Sequence, residues 1–319
     1  MPQNQLTNAI DLDESVAVSV LIMTHNEERN IRKCIESILP LTRNIFVVDS
    51  GSTDRTREIC ELYDVTVAVR EWTTYADQFN WGLDHFNFPD SWIMRMDADE
   101  EMMPGLVYAI KKFMEEPDCG VTGLMIRRRV YFMGRWIRHG GYYPTWLLRV
   151  FRNGIGRCEA LWMDEHIVLS EGKTIAIHED IIDKNNKDLT FWTDKHNRYA
   201  SREVLDILST QNDPDGDRIS ARLSSNQVEN KRWMKTNIYG KSPLFFRSFL
   251  YFVYRYIIRQ GFLDGKEGLI FHFLQGFWYR FLVDAKLYEM KIRSKLPEEA
   301  SRRNVKQRTI SGDNAGANK

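Results

Sequence analysis

Four short apolar runs, rich in β-branched residues and each closed by polar ones, recur through the first hundred residues with helix-like stretches between them. They are residues 16–23 (VAVSVLIM), 45–48 (IFVV), 65–69 (VTVAV) and 91–96 (SWIMRM). Unbroken apolar runs of this length suit parallel strands covered on both faces. Ile31, Cys34, Ile35 and Ile38 follow the first run at helical spacing, with Asn26 as the expected N-cap and Pro40 as the stop. Asp54 opens a second helix bearing Ile59 and Leu62, and residues 75–85 read as a third. This alternation predicts right-handed βαβ units and an α/β chain with a doubly wound, mostly parallel sheet. Ligands of such sheets bind at the carboxyl ends of the strands. The polar residues there are therefore the first candidates for function.

The first strand end delivers Thr24, Asn26 and Glu27, the second Asp49, and the fourth Asp97 and Asp99. A carboxylate at a strand tip can accept from a base imide or a ribose hydroxyl. Two carboxylates one residue apart point different ways, so one can face a sugar or water and the other a cation. Hard oxygen donors select Mg²⁺ or Mn²⁺ rather than zinc. Asp49, followed by Ser-Gly-Ser-Thr-Asp, also fits a side-chain-capped turn. No G-x-G-x-x-G or Walker loop follows the first run, which argues against a dinucleotide oxidoreductase or a P-loop enzyme. A sugar-phosphate nucleotidyltransferase would need a Gly-rich basic loop there, and Thr24-His25-Asn26-Glu27 is neither. Residues 213–217 (DPDGD) begin like a calcium loop, but the glycine is misplaced and Ser224 stands where the bidentate glutamate belongs. They read as a turn.

The segments VSVLIMTHNEERNIRKCIESI, FVVDSGSTDRT and MRMDADEEM resemble the successive signatures of the family 2 glycosyltransferases. The resemblance implies the GT-A fold, a Rossmann-like doubly wound sheet, here with a C-terminal helical, amphipathic extension. It further implies a nucleotide-sugar donor, usually a UDP-sugar, a divalent cation, Mg²⁺ or Mn²⁺, and inversion at the anomeric carbon. On those motifs, Thr24 and Glu27, with Asn26 beside them, would line the nucleoside pocket. Asp49 would accept from uracil, Asp97 would sit near ribose and Asp99 would bind the metal, with Asp97 close by. Arg70 would flank the base or phosphates, and Gln78 and Asn80 match the family's polar helix near the donor. Arg70 also reads as a surface arginine, and Gln78 and Asn80 as ordinary helix-surface residues.

Inverting transfer needs a carboxylate to take the acceptor hydroxyl proton. Within the family the chain is similar to the lipopolysaccharide-core β-1,4-glucosyltransferase-like branch, which carries an H-E-H-like segment where this chain has LWMDEHIVL. Glu165 matches the acid. Asp164 replaces the usual histidine and competes for the role. His178, in His178-Glu179-Asp180, is the candidate third contact to metal or diphosphate, or else a structural hydrogen bonder. Arg127, Arg128 and Arg129 read as a strand whose basic faces meet solvent or phosphate. Residues 195–199 could carry phosphate contacts or form a solvated face. Residues 134–146 (GRWIRHGGYYPTW) combine rings, cations and Gly140-Gly141, as expected of a mobile acceptor-side wall or a packed aromatic loop.

The formal net charge is zero, but the distribution is uneven. Residues 1–240 hold 29 basic and 37 acidic side chains, whereas residues 241–308 hold 14 and 6. Fifteen of the 39 Phe, Trp and Tyr lie between Phe245 and Tyr288. A helical projection puts Phe245, Phe249, Phe252 and Tyr256 on one side and Arg247, Arg255 and Arg259 on the other. Phe271, Leu274, Trp278 and Phe281 repeat the pattern. Residues 244–290 are thus expected to lie on an anionic membrane surface, rings among acyl chains and cations near headgroups, or to pack on the catalytic body or another subunit. No run is long enough for a spanning helix, and residues 1–15 lack the features of a signal peptide. The four cysteines have no metal or disulfide spacing and read as reduced thiols.

The expected organisation is an arm (1–15), a catalytic domain (16–208, with a nucleotide-sugar half to 100 and an acceptor half from 101), a connector (209–243), the amphipathic helices (244–290) and a tail (291–319). The expected setting is cytoplasmic, peripheral on the inner face of the cytoplasmic membrane. The expected partners are a nucleotide-sugar donor and a lipid-linked or lipopolysaccharide-core-like glycan acceptor, with no nucleic acid. A polyprenyl-phosphate glycosyltransferase of the same fold, or a non-catalytic membrane adaptor on its scaffold, are the alternatives.

Overall fold

A computed structural model describes residues 16–159, 166–212 and 242–293. Its main sheet contains β1 (Val18–Thr24), β2 (Ile45–Asp49), β3 (Thr66–Val69), β4 (Trp92–Asp97), β5 (Glu100–Met102), β6 (Val121–Phe132), β7 (Arg135–Ile137), β8 (Thr145–Arg152) and β11 (Lys173–Lys184). The order is β3-β2-β1-β4-β8-β6-β11-β5, with β7 beside β6. The first four strands are parallel, as their unbroken apolar sequences require. β8 then enters antiparallel between β4 and β6, which makes the sheet mixed. A small hairpin pairs β9 (Gly156–Cys158) with β10 (Ile167–Leu169).

Helix α1 (Ile31–Ile38) buries Ile31, Cys34, Ile35 and Ile38 against the sheet, each isoleucine contributing about 1.5–3 kcal/mol. Its N-cap position is Asn30, not Asn26. Asn26 instead adopts a left-handed backbone (φ 55°), and its side chain accepts from the amides of Thr53 (2.8 Å) and Asp54 (3.4 Å). It joins the loop after β1 to the loop after β2. Helix α2 (Thr56–Glu61) begins two residues after Asp54, whose Oδ1 accepts from the Thr56 amide, and Leu62 beyond it is exposed. Helix α3 spans Tyr75–His85 as read from sequence, capped by Thr74, whose hydroxyl accepts from the Asp77 amide. Helices α4 (Pro104–Glu115) and α5 (Leu189–Asn212) complete the body, α5 running through the boundary expected at 208.

The C-terminal region folds as α6 (Phe246–Val253), continued by a π-helical turn (Tyr254–Ile258), then α7 (Gly265–Phe271), a second π-helical stretch (His272–Trp278) and further helix over 279–293. Its charge arrangement reverses the expectation. Arg247 is buried against Asp284. Arg255 donates to the Gly140 carbonyl and the Tyr251 hydroxyl, and Arg280 pairs with Glu203 of α5 at 2.8 Å. Arg255 and Arg280 face the catalytic body and Arg247 is buried within the C-terminal helices, and directional partners offset their desolvation. The expected ring stripes are corrected too. Phe252 and Tyr256 pack against Phe273 and Phe262, and Phe271 is buried against Phe132 and Tyr142. The outward face carries Phe246, Phe249, Leu250, Ile257, Ile258, Phe262, Leu263, Leu269 and Phe273, all at least 45% exposed.

The 134–146 segment packs against the C-terminal helices. The Gly140 amide donates to the Arg259 carbonyl (2.9 Å), and His139 binds Asp264 through its amide (2.9 Å) and its ring (2.7 Å). Gly140 has φ +69°, and a Cβ there would lie 2.0 Å from Cε1 of the fully buried His272. The glycine is required by close packing as well as by conformation. We expect Gly140→Ala to cost about 2–4 kcal/mol in a denaturant titration, combining left-handed strain with overpacking; a cost below about 1 kcal/mol would mean that the imidazole has room to swing away.

Candidate active site

The strand tips open onto one cavity of about 2190 Å³, lined at its inner end by Thr24, Glu27, Asp97, Asp99, Asp183 and Lys195. The pairing register explains the grouping. Met23 pairs with Asp97 and Thr24 with Asp49, so β1, β2 and β4 end at one level. Thr24 is 4% exposed, and its hydroxyl is buried without a hydrogen-bond partner among the described residues. A buried hydroxyl left unpaired costs about 1–3 kcal/mol, and a ligand in the cavity would supply the missing partner.

Asp97 is firmly held. Its Oδ1 accepts from the Tyr75 hydroxyl at 2.5 Å, and its Oδ2 lies 3.2 Å from Arg149. Burial alone would raise it, but the Arg149 and Arg95 guanidiniums and the Tyr75 hydroxyl hold it well below the usual carboxylate range. Glu100, which shares Arg149, is pushed up to about 8 by burial, with Asp97 and Asp183 nearby outweighing that pull. Asp99 is less committed. Its Oδ2 accepts from Asn185 (2.9 Å) and lies 3.9 Å from Lys195, while its Oδ1 has no partner among the described residues.

Negative charge is crowded here. Burial together with Asp99 raises Glu27, even though Lys187 contacts it at 2.6 Å. Burial, Asp99 and Asp97 push Asp183 up to about 6. Lys195 is desolvated, yet Tyr199, Asp99 and Asp183 keep it above its ordinary value. An added cation would relieve this repulsion. Among the described residues no three His, Cys, Asp or Glu side chains form a group able to hold a metal by themselves. The donor set fits a hard cation bound by one or two carboxylates and completed by substrate phosphates and water. Asp99 would hold it, with Asp97 flanking.

Several sequence candidates have other work. The Asp49 carboxylate is fully buried and turned into its own loop, accepting from the Gly51 (3.1 Å) and Ser52 (2.8 Å) amides and the Ser52 hydroxyl. It fastens the turn and is not among the residues lining the cavity. Gln78, 1% exposed, donates to Ser50 Oγ (2.9 Å) and the Arg70 carbonyl (3.1 Å). Asn80 exchanges two 2.9 Å bonds with the Cys158 backbone, locking α3 to the hairpin. Arg70 pairs with Asp77 at 2.7 Å and lies over Trp81. None of these three lines the cavity. Asn26 does, but its side chain is engaged by the Thr53 and Asp54 amides.

His178 is not among the residues lining the cavity: it is exposed, sits edge-on to Trp146, and lies five residues before Asp183, on the order of 15 Å of strand. Arg127 and Arg129 pair with Asp180, and Arg128 with Asp183 (3.5 Å), so these arginines join β6 to β11 rather than facing solvent. Glu165 and Asp164 lie outside the described residues. The residues flanking that segment, Glu159 and His166, both line the cavity. Sequence reasoning missed Arg149, Tyr75, Glu100 and Asp183. Arg149 left a signal: a lone charge within the apolar run WLLRVF must be buried with a partner.

Residues 19–169 match the model for glycosyl transferase family 2. A lipopolysaccharide core biosynthesis glycosyltransferase, LpsC, of Rhizobium meliloti is 27% identical over 286 residues, covering 85% of this chain and 92% of that protein. An uncharacterized glycosyltransferase of Rickettsia typhi is 34% identical over 85 residues, 27% of this chain and 28% of that one. Among solved structures, a mannosyltransferase of Pyrobaculum calidifontis in complex with GDP-Man and Mn²⁺ aligns with a TM-score of 0.47 and 14% identity, over 87% of this chain and 88% of that chain.

Proposed function

We propose, from the match of residues 19–169 to the glycosyl transferase family 2 model, that the chain is a metal-dependent, inverting hexosyltransferase of GT-A fold. It moves a sugar from a nucleotide donor, a UDP-sugar, to a lipid-linked or lipopolysaccharide-core-like glycan by single displacement. The observation that carries this reading is Asp99, which has a carboxylate oxygen without a partner among the described residues, in a cavity crowded with acids at the carboxyl edge of the parallel strands. Thr24 and Glu27 border the nucleoside pocket, and the orphaned Thr24 hydroxyl awaits a donor or acceptor there. Asp97, fixed by Tyr75, Arg95 and Arg149, presents a permanent negative edge toward ribose. A bound Mg²⁺ or Mn²⁺ would supply charge stabilisation for the departing diphosphate. Lys195 adds a fixed positive charge on the same wall. Glu165 is the proposed base, with Asp164 as its competitor; the flanking Glu159 and His166 border the cavity, which supports an acid there.

A panel of nucleotide sugars tests the donor assignment by thermal unfolding. One nucleoside diphosphate sugar should stabilise the protein by about 2.7 kcal/mol at a hundredfold excess over its dissociation constant, and only with Mn²⁺ or Mg²⁺. The same shift in excess chelator would remove the metal from the proposal.

The outward apolar side chains of the C-terminal helices support peripheral attachment to a membrane. No helix among the described residues is long and apolar enough to cross one. Because Arg247, Arg255 and Arg280 face inward, insertion of apolar side chains carries the binding, and headgroup charge contributes less. Phe249→Glu combined with Ile258→Glu should weaken liposome flotation by about a hundredfold or more, from about 3 kcal/mol of lost burial. The loss should be similar on neutral and anionic vesicles. Undiminished binding by the double variant would exclude this face.

A further inference from the structure

The cavity continues past the carboxylates to the C-terminal helices, and its far wall has the opposite charge. Arg255 lies in the π-helical turn and Arg259 directly follows it; such turns recur at functional sites. A Cβ on Gly141 would lie 3.3 Å from Nη1 of Arg255 and 3.5 Å from both Nε and Nη2 of Arg259. Two guanidiniums therefore converge on one point of the wall. Among the described residues neither has a carboxylate within ion-pair distance. Arg255 is neutralised by nothing stronger than the Tyr251 hydroxyl (2.6 and 2.8 Å), the Gly140 carbonyl and the Tyr142 ring face (4.3 Å). The nearby acids are already spent, Asp264 on His139 and Glu203 on Arg280 and Tyr279. Converging cations without a counter-ion repel, and for the partly buried Arg255 desolvation adds to the cost. An anion between them would remove both penalties.

We propose that Arg255 and Arg259, with Gly141 as the floor, form a subsite for a phosphate group carried by the acceptor. This rests on reading the cavity as a glycosyl-transfer site. Glycine at 141, with φ +75°, keeps the approach clear of a side chain. A forked guanidinium pair suits a tetrahedral oxyanion by paired hydrogen bonds. The phosphate is either a substituent on the glycan or the group that links it to a lipid carrier. Both sources share the chemistry that the two arginines recognise. The subsite lies between the carboxylates and the outward apolar face, where the anionic part of a membrane-borne acceptor would rest.

The test uses the full-length protein and Arg259→Gln, because the Arg259 side chain is exposed and makes no hydrogen bond among the described residues. Both proteins are titrated with inorganic phosphate, with a hexose 6-phosphate and with a long-chain prenyl phosphate in detergent micelles. A separate titration uses uridine diphosphate with Mn²⁺. The variant should bind the phosphate probes about tenfold more weakly and uridine diphosphate as tightly as the parent. A larger loss for the hexose phosphate would place the group on the glycan, and a larger loss for the prenyl phosphate would place it on the carrier. Equal phosphate affinity in the two proteins overturns the subsite. So does a matching loss of uridine diphosphate affinity, which would assign the pair to the donor. Arginine-dependent phosphate binding by a protein that takes up no nucleotide at all would instead count against glycosyl transfer and leave the anion site standing.

Discussion

Asp99→Asn should abolish Mn²⁺-dependent donor binding and lower turnover by about a thousandfold, on the order of 4 kcal/mol of transition-state stabilisation. The size follows from the donor set. Of the two strand-tip acids, Asp99 has an oxygen without a partner among the described residues, whereas both oxygens of Asp97 are held by Tyr75 and Arg149. The fold should not suffer. Asparagine keeps an oxygen for the Asn185 amide and removes one of the charges that crowd Glu27 and Asp183, so the unfolding temperature should hold or rise. Calorimetry with uridine diphosphate and Mn²⁺, beside a melting curve, checks both halves. Retained metal-dependent affinity in a stable variant would move the cation to other ligands.

Glu165→Gln should leave donor affinity intact and lower kcat by about two to four orders of magnitude, the usual worth of a positioned general base. Asp164→Asn should cost less than about tenfold, as expected of a neighbour that shapes the local field without taking the proton. The split between binding and turnover matters, because a structural role would shift both. Measuring donor dissociation constants and kcat for the two variants settles the ranking. If Asp164→Asn has the larger effect on kcat, the base is Asp164.

The parallel half of the sheet was legible because β1 to β4 are covered on both faces and advertise it as unbroken apolar runs. Asp97 and Asp99 were legible for the same reason, since a strand tip in such a sheet has one place to point. Asp49 was not. The residues that make a base-binding tip, an acid followed by Ser and Gly, also make a side-chain-capped turn, and only the direction of the carboxylate separates the two. Arg149 stayed hidden because its partners, Asp97 and Glu100, are remote in sequence and meet it only when β8 inserts next to β4. The C-terminal helices show a further limit. Helical projection groups side chains into faces, but which face turns inward depends on what the rest of the chain offers. Here it offers Glu203 and the Gly140 carbonyl, and the arginines turn toward them.

That inward polarity also governs modularity. A conventional anchor can be cut off or transplanted, because its apolar stripe needs only lipid and its polar side needs only water. In this chain the hidden side of the C-terminal helices is ionic, and its partners include Asp284 within the helices, Glu203 of α5 and the Gly140 carbonyl. Grafted onto another protein, these helices would carry orphaned arginines and no reason to adopt this pose. Trimmed from this one, they would take a cavity wall with them. The proposed attachment face and the cavity wall are one indivisible piece of architecture, so recombination within such a lineage should exchange the two together or not at all.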